Sequence, residues 1–196
     1  MLNDYWKSIY GWFDFENIYD IAIEHLKDGD IAVELGTFLG KSTCYFAQRL
    51  KESGKQVKFY ACDIFDGSKA PFMPPEWEKD FYDVFLENLK KQEVSDIVIP
   101  FRGNSLNFVK NFENNSISFL YIDDDHRGEH FAKELKEWYP KVKIGGIMAG
   151  HDFHIYPEIK TAVLEFTIKH KLNLTITQGT HPLEGGIFSH SWRAIK

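Results

Sequence analysis

The chain has 196 residues, 43% apolar and 27% charged, with a formal net charge of -6. That length and balance suit one globular domain with a sizeable core and are short for two. The acidic balance supplies no broad face for neutralising phosphates, so nucleic acid is not the expected partner, and no apolar run is long enough to span a bilayer. The amino terminus lacks the basic-then-apolar pattern of a secretory signal, and Cys44 and Cys62 have neither metal-like spacing nor any sign of an oxidising compartment. The expectation is a cytoplasmic protein without a membrane partner, monomer or homodimer.

Elements alternate along the chain. The first 29 residues read as a helical cap: an aromatic-rich opening (Tyr5, Trp6, Tyr10, Trp12, Phe13, Phe15, Tyr19) suited to packing, then "NIYDIAIEHLKDG" at helical spacing, with Gly29 as its stop. "DIAVELG" is a short apolar run closed by glycine, a buried strand. "KSTCYFAQRLKESG" is a helix ending at Gly54, and "QVKFYACD" a second strand. The proline-rich "FDGSKAPFMPPEW" is a loop, in which Phe72, Met73 and Trp77 either close over a ligand or pack as surface. A helix over "EWEKDFYDVFLENLKKQEV" precedes a third strand, "DIVIPFRG", and a short helix, "SLNFVKNFEN". "SISFLYID" is the fourth strand, "GEHFAKELKEWYPKV" a helix, "GGIMAGHD" the fifth strand and "PEIKTAVLEFTIKHK" a helix. "LNLTITQ" and "GGIFSHSWRAI" read as two closing strands.

Continuous apolar strands alternating with helices predict an α/β domain. Its seven-stranded sheet is doubly wound and mostly parallel, with helices on both faces. The last two strands lack an intervening helix, which allows an antiparallel C-terminal edge pair. No repeat or linker divides residues 1–196, so a single domain is expected. In such sheets ligands sit beyond the C-terminal ends of the strands. That rule selects "ELGTFLG", "CDIFDG", "RGNS", "IDDDH" and "AGHDFH".

Gly36 and Gly40 flank the first strand-to-helix turn, where glycine admits positive φ and close backbone approach. A simple tight turn explains them equally well. The loop is neither GxGxxG nor a phosphate loop. Asp63, ending strand two, either accepts the hydroxyls of a ribose or is a strand-end acid facing solvent. Asn104 and Ser105 add polar groups near an adenine edge or serve as ordinary turn residues.

"VELGTFLGKST" resembles motif I of the class I S-adenosylmethionine-dependent methyltransferases. "YIDDDHRGEHFAKELKEWYPKVKIGGIMAGHDF" resembles the block "IDxDH…L..W.P.l..GG.iaGHD" of a small-molecule subgroup related to catechol and macrolide-sugar O-methyltransferases, and "GWFDFENIYD" and "CDIFDGS" also fit that subgroup. The resemblance covers nearly the whole chain. It implies a Rossmann-like fold and S-adenosylmethionine as cofactor. Glu34, Gly36 and Gly40 would lie around the methionine moiety, Asp63 on the ribose and Ser105 near the adenine, with Thr37, Ser42, Asn104 and Asp123 also expected to bind the cofactor. Phe38 stands where a fuller motif I carries its middle glycine.

Asp123 ends strand four, and His151 and Asp152 end strand five. Adjacent strands would bring these three ligand-type groups to one rim. Carboxylates favour Mg²⁺ or Ca²⁺, and an added imidazole widens the choice to Mn²⁺, Fe²⁺ or Zn²⁺. The resemblance places metal ligands at the same three positions, with Mg²⁺ or Mn²⁺ expected. His151 departs from it, since an acid is usual there. His126 matches the position of a catalytic lysine in catechol-type relatives and is the expected general base; its alternative is to cap or pack the following helix. Asp124 and Asp125 are expected as helix-start acids. His25, His130, His170, His181 and His190 are expected to be structural or solvent-facing, and His154 a spare candidate.

The expected activity is methylation of a hydroxyl on a small molecule, assisted by Asp123, His126 and a divalent metal. The alternative is a regulatory protein that binds the cofactor and methylates nothing.

Overall fold

A computed structural model describes residues 3–66, 80–182, 186 and 188–196. Phe72, Met73 and Trp77 lie outside the described residues. One seven-stranded sheet organises the chain, in the order β3-β2-β1-β4-β5-β7-β6. Its strands are β1 (Ile31–Leu35), β2 (Lys58–Asp63), β3 (Val98–Arg102), β4 (Ile117–Ile122), β5 (Val142–Gly150), β6 (Leu174–Gln178) and β7 (His190–Ile195). The first five are mutually parallel, and β7 runs antiparallel to both β5 and β6. The final pair is therefore antiparallel as expected, but β7 inserts between β5 and β6 and leaves β6 at the edge. Trp192 on β7 is 1% exposed, so this placement gives a large side chain a core position.

The helices are α1 (Glu16–His25), α2 (Lys41–Ser53), α3 (Phe81–Gln92), α4 (Ser105–Phe108), α5 (Gly128–Trp138) and α6 (Pro157–His170). They cover both faces of the sheet. Strand β4, buried at all six positions, sends Phe119 and Tyr121 into one apolar cluster with Tyr19 of α1 and Phe46 of α2. Leu120 and Ile122 go into the other, with Phe131, Leu135 and Trp138 of α5. This is the period-2 alternation of a strand between two helical layers.

Several element ends differ from the sequence reading, among them that α5 gives way to a 3₁₀ turn after Trp138 and that β5 begins at Val142. Helix α1 stops at His25 because Leu26 turns to extended backbone and buries, while Gly29, at φ +84°, donates its N–H to Gln56 O. The expected helix after β3 is a single α-turn followed by a 3₁₀ turn, Val109–Asn111. The amino-terminal cap holds a 3₁₀ turn, Tyr5–Ser8, and α1, with residues 9–15 between them packing through Ile9, Phe13 and Phe15. No helix among the described residues is long and apolar enough to cross a membrane.

Candidate active site

The ends of β1, β2 and β4 are knitted at their C-terminal rim. Gly36 N donates to Cys62 O at 2.9 Å, and Asp123 N donates to Leu35 O at 2.8 Å. Gly36 has φ +81°, and a Cβ there would stand 1.9 Å from the Asp123 carbonyl oxygen. Only glycine allows the β1–α2 turn to lie this close to the exit of β4. Phe38, where motif I has its middle glycine, also takes left-handed backbone at φ +48°, and so do Phe65 after β2 and Asp152 after β5. Left-handed conformations in bulky residues are costly and concentrate at functional loops.

The turn is braced from beneath. Glu34, 1% exposed, accepts hydrogen bonds from Tyr19 (2.7 Å), Ser42 (2.5 Å) and Thr43 (2.6 Å). Glu34 and Ser42, both expected to bind the cofactor, thus spend these groups on each other. Thr37, 2% exposed, keeps a buried hydroxyl oxygen without a partner among the described residues. Gly40 begins α2 in left-handed geometry at φ +86°. Asp63 accepts from the backbone N–H of Phe38 at 2.8 Å and of Phe65 at 2.7 Å, tying the turns after β1 and β2 together. Burial raises its pKa, and these backbone donors act in the opposite direction.

Burial also pushes the Glu34 carboxyl up to about 7 from an ordinary value near 4.5, and the three hydroxyls offset only part of that cost. A carboxyl with a raised folded pKa contributes most stability below its unfolded pKa. That contribution declines as pH rises from about 4.5 to about 7, by roughly 3 kcal/mol. Glu34→Gln should therefore lose this part of the pH dependence. Thermal melts of both proteins from pH 5 to 8 would test it, and parallel Tm profiles would reject the raised pKa.

Beyond β4 and β5 the carboxylates and imidazoles meet. His126 Nε2 lies 2.7 Å from Asp152 Oδ2 and 3.7 Å from Asp123 Oδ1. The close contact lacks hydrogen-bond geometry and leaves Nε2 buried without a hydrogen-bond partner among the described residues. His151 Nε2 contacts Asp14 Oδ1 at 2.8 Å, while its Nδ1 stands 3.2 Å from Asp152 and 3.9 Å from Asp123. Burial alone would lower the pKa of both imidazoles. The surrounding carboxylates outweigh it, Asp123 and Asp152 at His126 and these two with Asp14 at His151, and hold each imidazole up to about 10. Asp152 is correspondingly held well below the usual carboxylate range: burial opposes this, but the two imidazoles 2.7 Å and 3.2 Å away prevail.

Asp123, His151 and Asp152 thus do converge, yet the tight ligand-type set is Asp123, His126 and Asp152, with one atom from each within 4.8 Å of the others. His151 has one nitrogen committed to Asp14 and the other turned to Asp152, which suits it to hold Asp152 in place. Held up to about 10, His126 carries its proton at neutral pH, so accepting a proton from an acceptor first requires losing its own.

Asp125 behaves as a helix-start acid, accepting from Arg127 N at 2.9 Å and pairing with its guanidinium, which holds it down to about 2. Asp124 instead faces Glu134. Asn104 caps α4 by accepting from Leu106 N at 2.9 Å, and the Ser105 hydroxyl donates to Glu134. Both residues expected beside an adenine are therefore engaged within the chain.

Two residues were missed. Asp14 is fully buried, and its sequence signal was a lone acid between two phenylalanines. Tyr156 stacks on His126 with ring centroids 4.5 Å apart. The two rings share the lining of a cavity of about 440 Å³ with Asp125, Arg127, Gly128 and Glu158. Nothing in the sequence pattern marked Tyr156.

A seven-stranded sheet with one reversed strand near its edge, whose first turn abuts an acidic rim, is the architecture of a Rossmann-like methyltransferase. Residues 33–153 match the family model described as a methyltransferase domain, and the chain belongs to that family. Solved structures share the fold at low identity. An rRNA methylase from Streptococcus thermophilus is 15% identical, with 96% of this chain and 99% of that one aligned and a TM-score of 0.64. The O-methyltransferase TomG from Streptomyces achromogenes, involved in tomaymycin synthesis and solved with S-adenosylmethionine, is 16% identical, with coverage of 92% and 78% and a TM-score of 0.62. A precorrin-6y C5,15-methyltransferase from Geobacter metallireducens is 11% identical, with coverage of 92% and 89% and a TM-score of 0.64.

Proposed function

We propose that this methyltransferase moves the methyl group of S-adenosylmethionine onto a hydroxyl of a small molecule. The observation that carries this reading is the contact between two rims. The glycine turn and Asp63 form the cofactor side, and Gly36 touches the backbone of Asp123, which opens the acidic, imidazole-bearing acceptor side. The unpartnered Thr37 hydroxyl is a polar group free for the cofactor, and Asp63 retains acceptor capacity for a ribose beyond its two backbone donors. When bound, S-adenosylmethionine supplies an electrophilic methyl group. The chain's part is to hold that methyl in line with an acceptor oxygen, the positioning that contributes most to such reactions.

The acceptor side fits a divalent ion held by Asp123, His126 and Asp152. The ligand atoms are close enough, and His126 Nε2 is buried without a hydrogen-bond partner among the described residues. Two carboxylates with one imidazole suit Mn²⁺ better than Mg²⁺. Such an ion would lower the pKa of an acceptor hydroxyl. The cavity beside His126 and Tyr156 would take a ring-bearing acceptor, with Tyr156 as a stacking surface. Clustered carboxylates at this mouth repel phosphates, which favours a small hydroxylated acceptor over nucleic acid.

The experiment is turnover: the protein with S-adenosylmethionine and Mn²⁺ or Mg²⁺, a panel of hydroxylated metabolites, and mass-spectrometric detection of a 14-Da gain (the mass of an added CH₂). Absence of product over a broad panel, with the cofactor bound, would favour a binding protein instead. Asp63→Ala should weaken S-adenosylhomocysteine binding by about 1.5–3 kcal/mol, the range for a hydrogen bond to a charged group. Asp63 also ties two turns together, so calorimetry should be run where thermal melts show the variant folded. Unchanged affinity there removes Asp63 from the ribose site.

A further inference from the structure

We propose that Asp124, His130 and Glu134 form a second divalent-cation site, one that shares no ligand with the Asp123, His126 and Asp152 set. His130 and Glu134 are four residues apart on α5 and so lie on one face of the helix, the spacing that lets a helix offer two ligands to one ion. Asp124 joins them from the exit of β4. One ligand atom from each residue lies within 4.8 Å of the other two.

A second observation points to a ligand. Glu134 is fully buried, on the same stripe as Phe131, Leu135 and Trp138, and its Oε2 has no hydrogen-bond partner among the described residues. Burying a carboxylate oxygen without a donor is expensive. His130 Nε2, 3.6 Å from Glu134 Oε1, is likewise buried and without a hydrogen-bond partner among the described residues. Glu134 Oε1 accepts from the Ser105 hydroxyl, which fixes the carboxylate plane as an outer hydrogen bond fixes a metal ligand. Asp124 and Glu134 bring two carboxyl groups close together, and like charges this near oppose joint ionisation. A proton relieves one carboxyl, whereas a divalent ion satisfies both carboxylates and the imidazole at once. Asp124 and His130 are half-buried, which gives the ion a path from solvent. Two carboxylates and an imidazole select Mn²⁺ or Zn²⁺ over Ca²⁺. The site stands whether or not the protein methylates a hydroxyl.

The test is titration of the full chain with Co²⁺ alone, followed by visible absorbance and calorimetry. The wild type should take up two equivalents. His130→Ala and Glu134→Gln should each retain one, and Asp152→Asn should retain the other. Ser105→Ala should weaken the second equivalent roughly 10- to 100-fold. His130→Ala changes a partly exposed side chain and keeps the test available if Glu134→Gln fails to fold. A wild type binding one equivalent that survives Asp152→Asn and disappears in His130→Ala would still support the site while removing the first. Stoichiometry unchanged by His130→Ala, no uptake by the wild type, or all binding lost in Asp152→Asn would overturn it and leave the acid pair sharing a proton.

Discussion

Gly36→Ala should destabilise the protein by about 3 kcal/mol or more and abolish cofactor binding. Two costs combine. The residue sits at φ +81°, where an L side chain costs roughly 1–2 kcal/mol. The added carbon would also stand 1.9 Å from Asp123 O, 2.4 Å from its carbonyl carbon and 2.7 Å from Asp124 Cα, all backbone atoms with no rotamer to escape into. Relief requires the exits of β1 and β4 to part, straining the bond from Asp123 N to Leu35 O and moving Asp123 itself. Gly54→Ala is the control. Its φ is +69° but nothing lies within 4 Å of a new Cβ, so it bears only the backbone cost, about 1 kcal/mol. Urea denaturation of both variants isolates the clash as their difference. Equal losses would mean that the turn and the acidic rim do not touch, and the basis for joining the cofactor and acceptor sides would go.

Much of this contact was legible in the sequence. Glycine after an apolar run announces a turn needing positive φ, and uninterrupted apolar strands between helical patterns announce a parallel sheet with ligand-bearing C-terminal ends. What the sequence hid depends on partners far along the chain. His151 and His126 are both histidines beside aspartates. Only folding shows that Asp14, 137 residues from His151, takes one nitrogen of His151 and leaves His126 to face the Asp123 and Asp152 carboxylates. Asn104 and Ser105 carry ordinary turn signals, and the hidden fact is that α5 brings a buried Glu134 to Ser105. That acid was readable in principle, because it occupies the i+3 position of the apolar stripe starting at Phe131, where a charged residue demands a partner. The insertion of β7 between β5 and β6 was not readable, since hairpin-like spacing constrains pairing but not which strand takes the edge.

His126→Ala should lower kcat roughly 10²- to 10⁴-fold while leaving S-adenosylmethionine affinity nearly unchanged, because the side chain faces Asp123 and Asp152 and not the motif I turn. The pH dependence then separates two accounts of how it works. With its pKa held up to about 10, His126 is an imidazolium at neutral pH, and only about one molecule in a thousand is ready to accept a proton at pH 7. If His126 is a free base, the metal-depleted enzyme should show a rate that climbs tenfold per pH unit without levelling until near pH 10. If His126 is a metal ligand, Mn²⁺ should displace its proton, and uptake should release protons measurable in weakly buffered solution. The rate should then level at lower pH, and chelation should return the steep profile or remove activity. The same variant should also lose Mn²⁺ affinity under the second account and keep it under the first. Turnover of His126→Ala within a few-fold of wild type, with and without Mn²⁺, would exclude both roles and leave Asp123 and Asp152 as the acceptor-side groups.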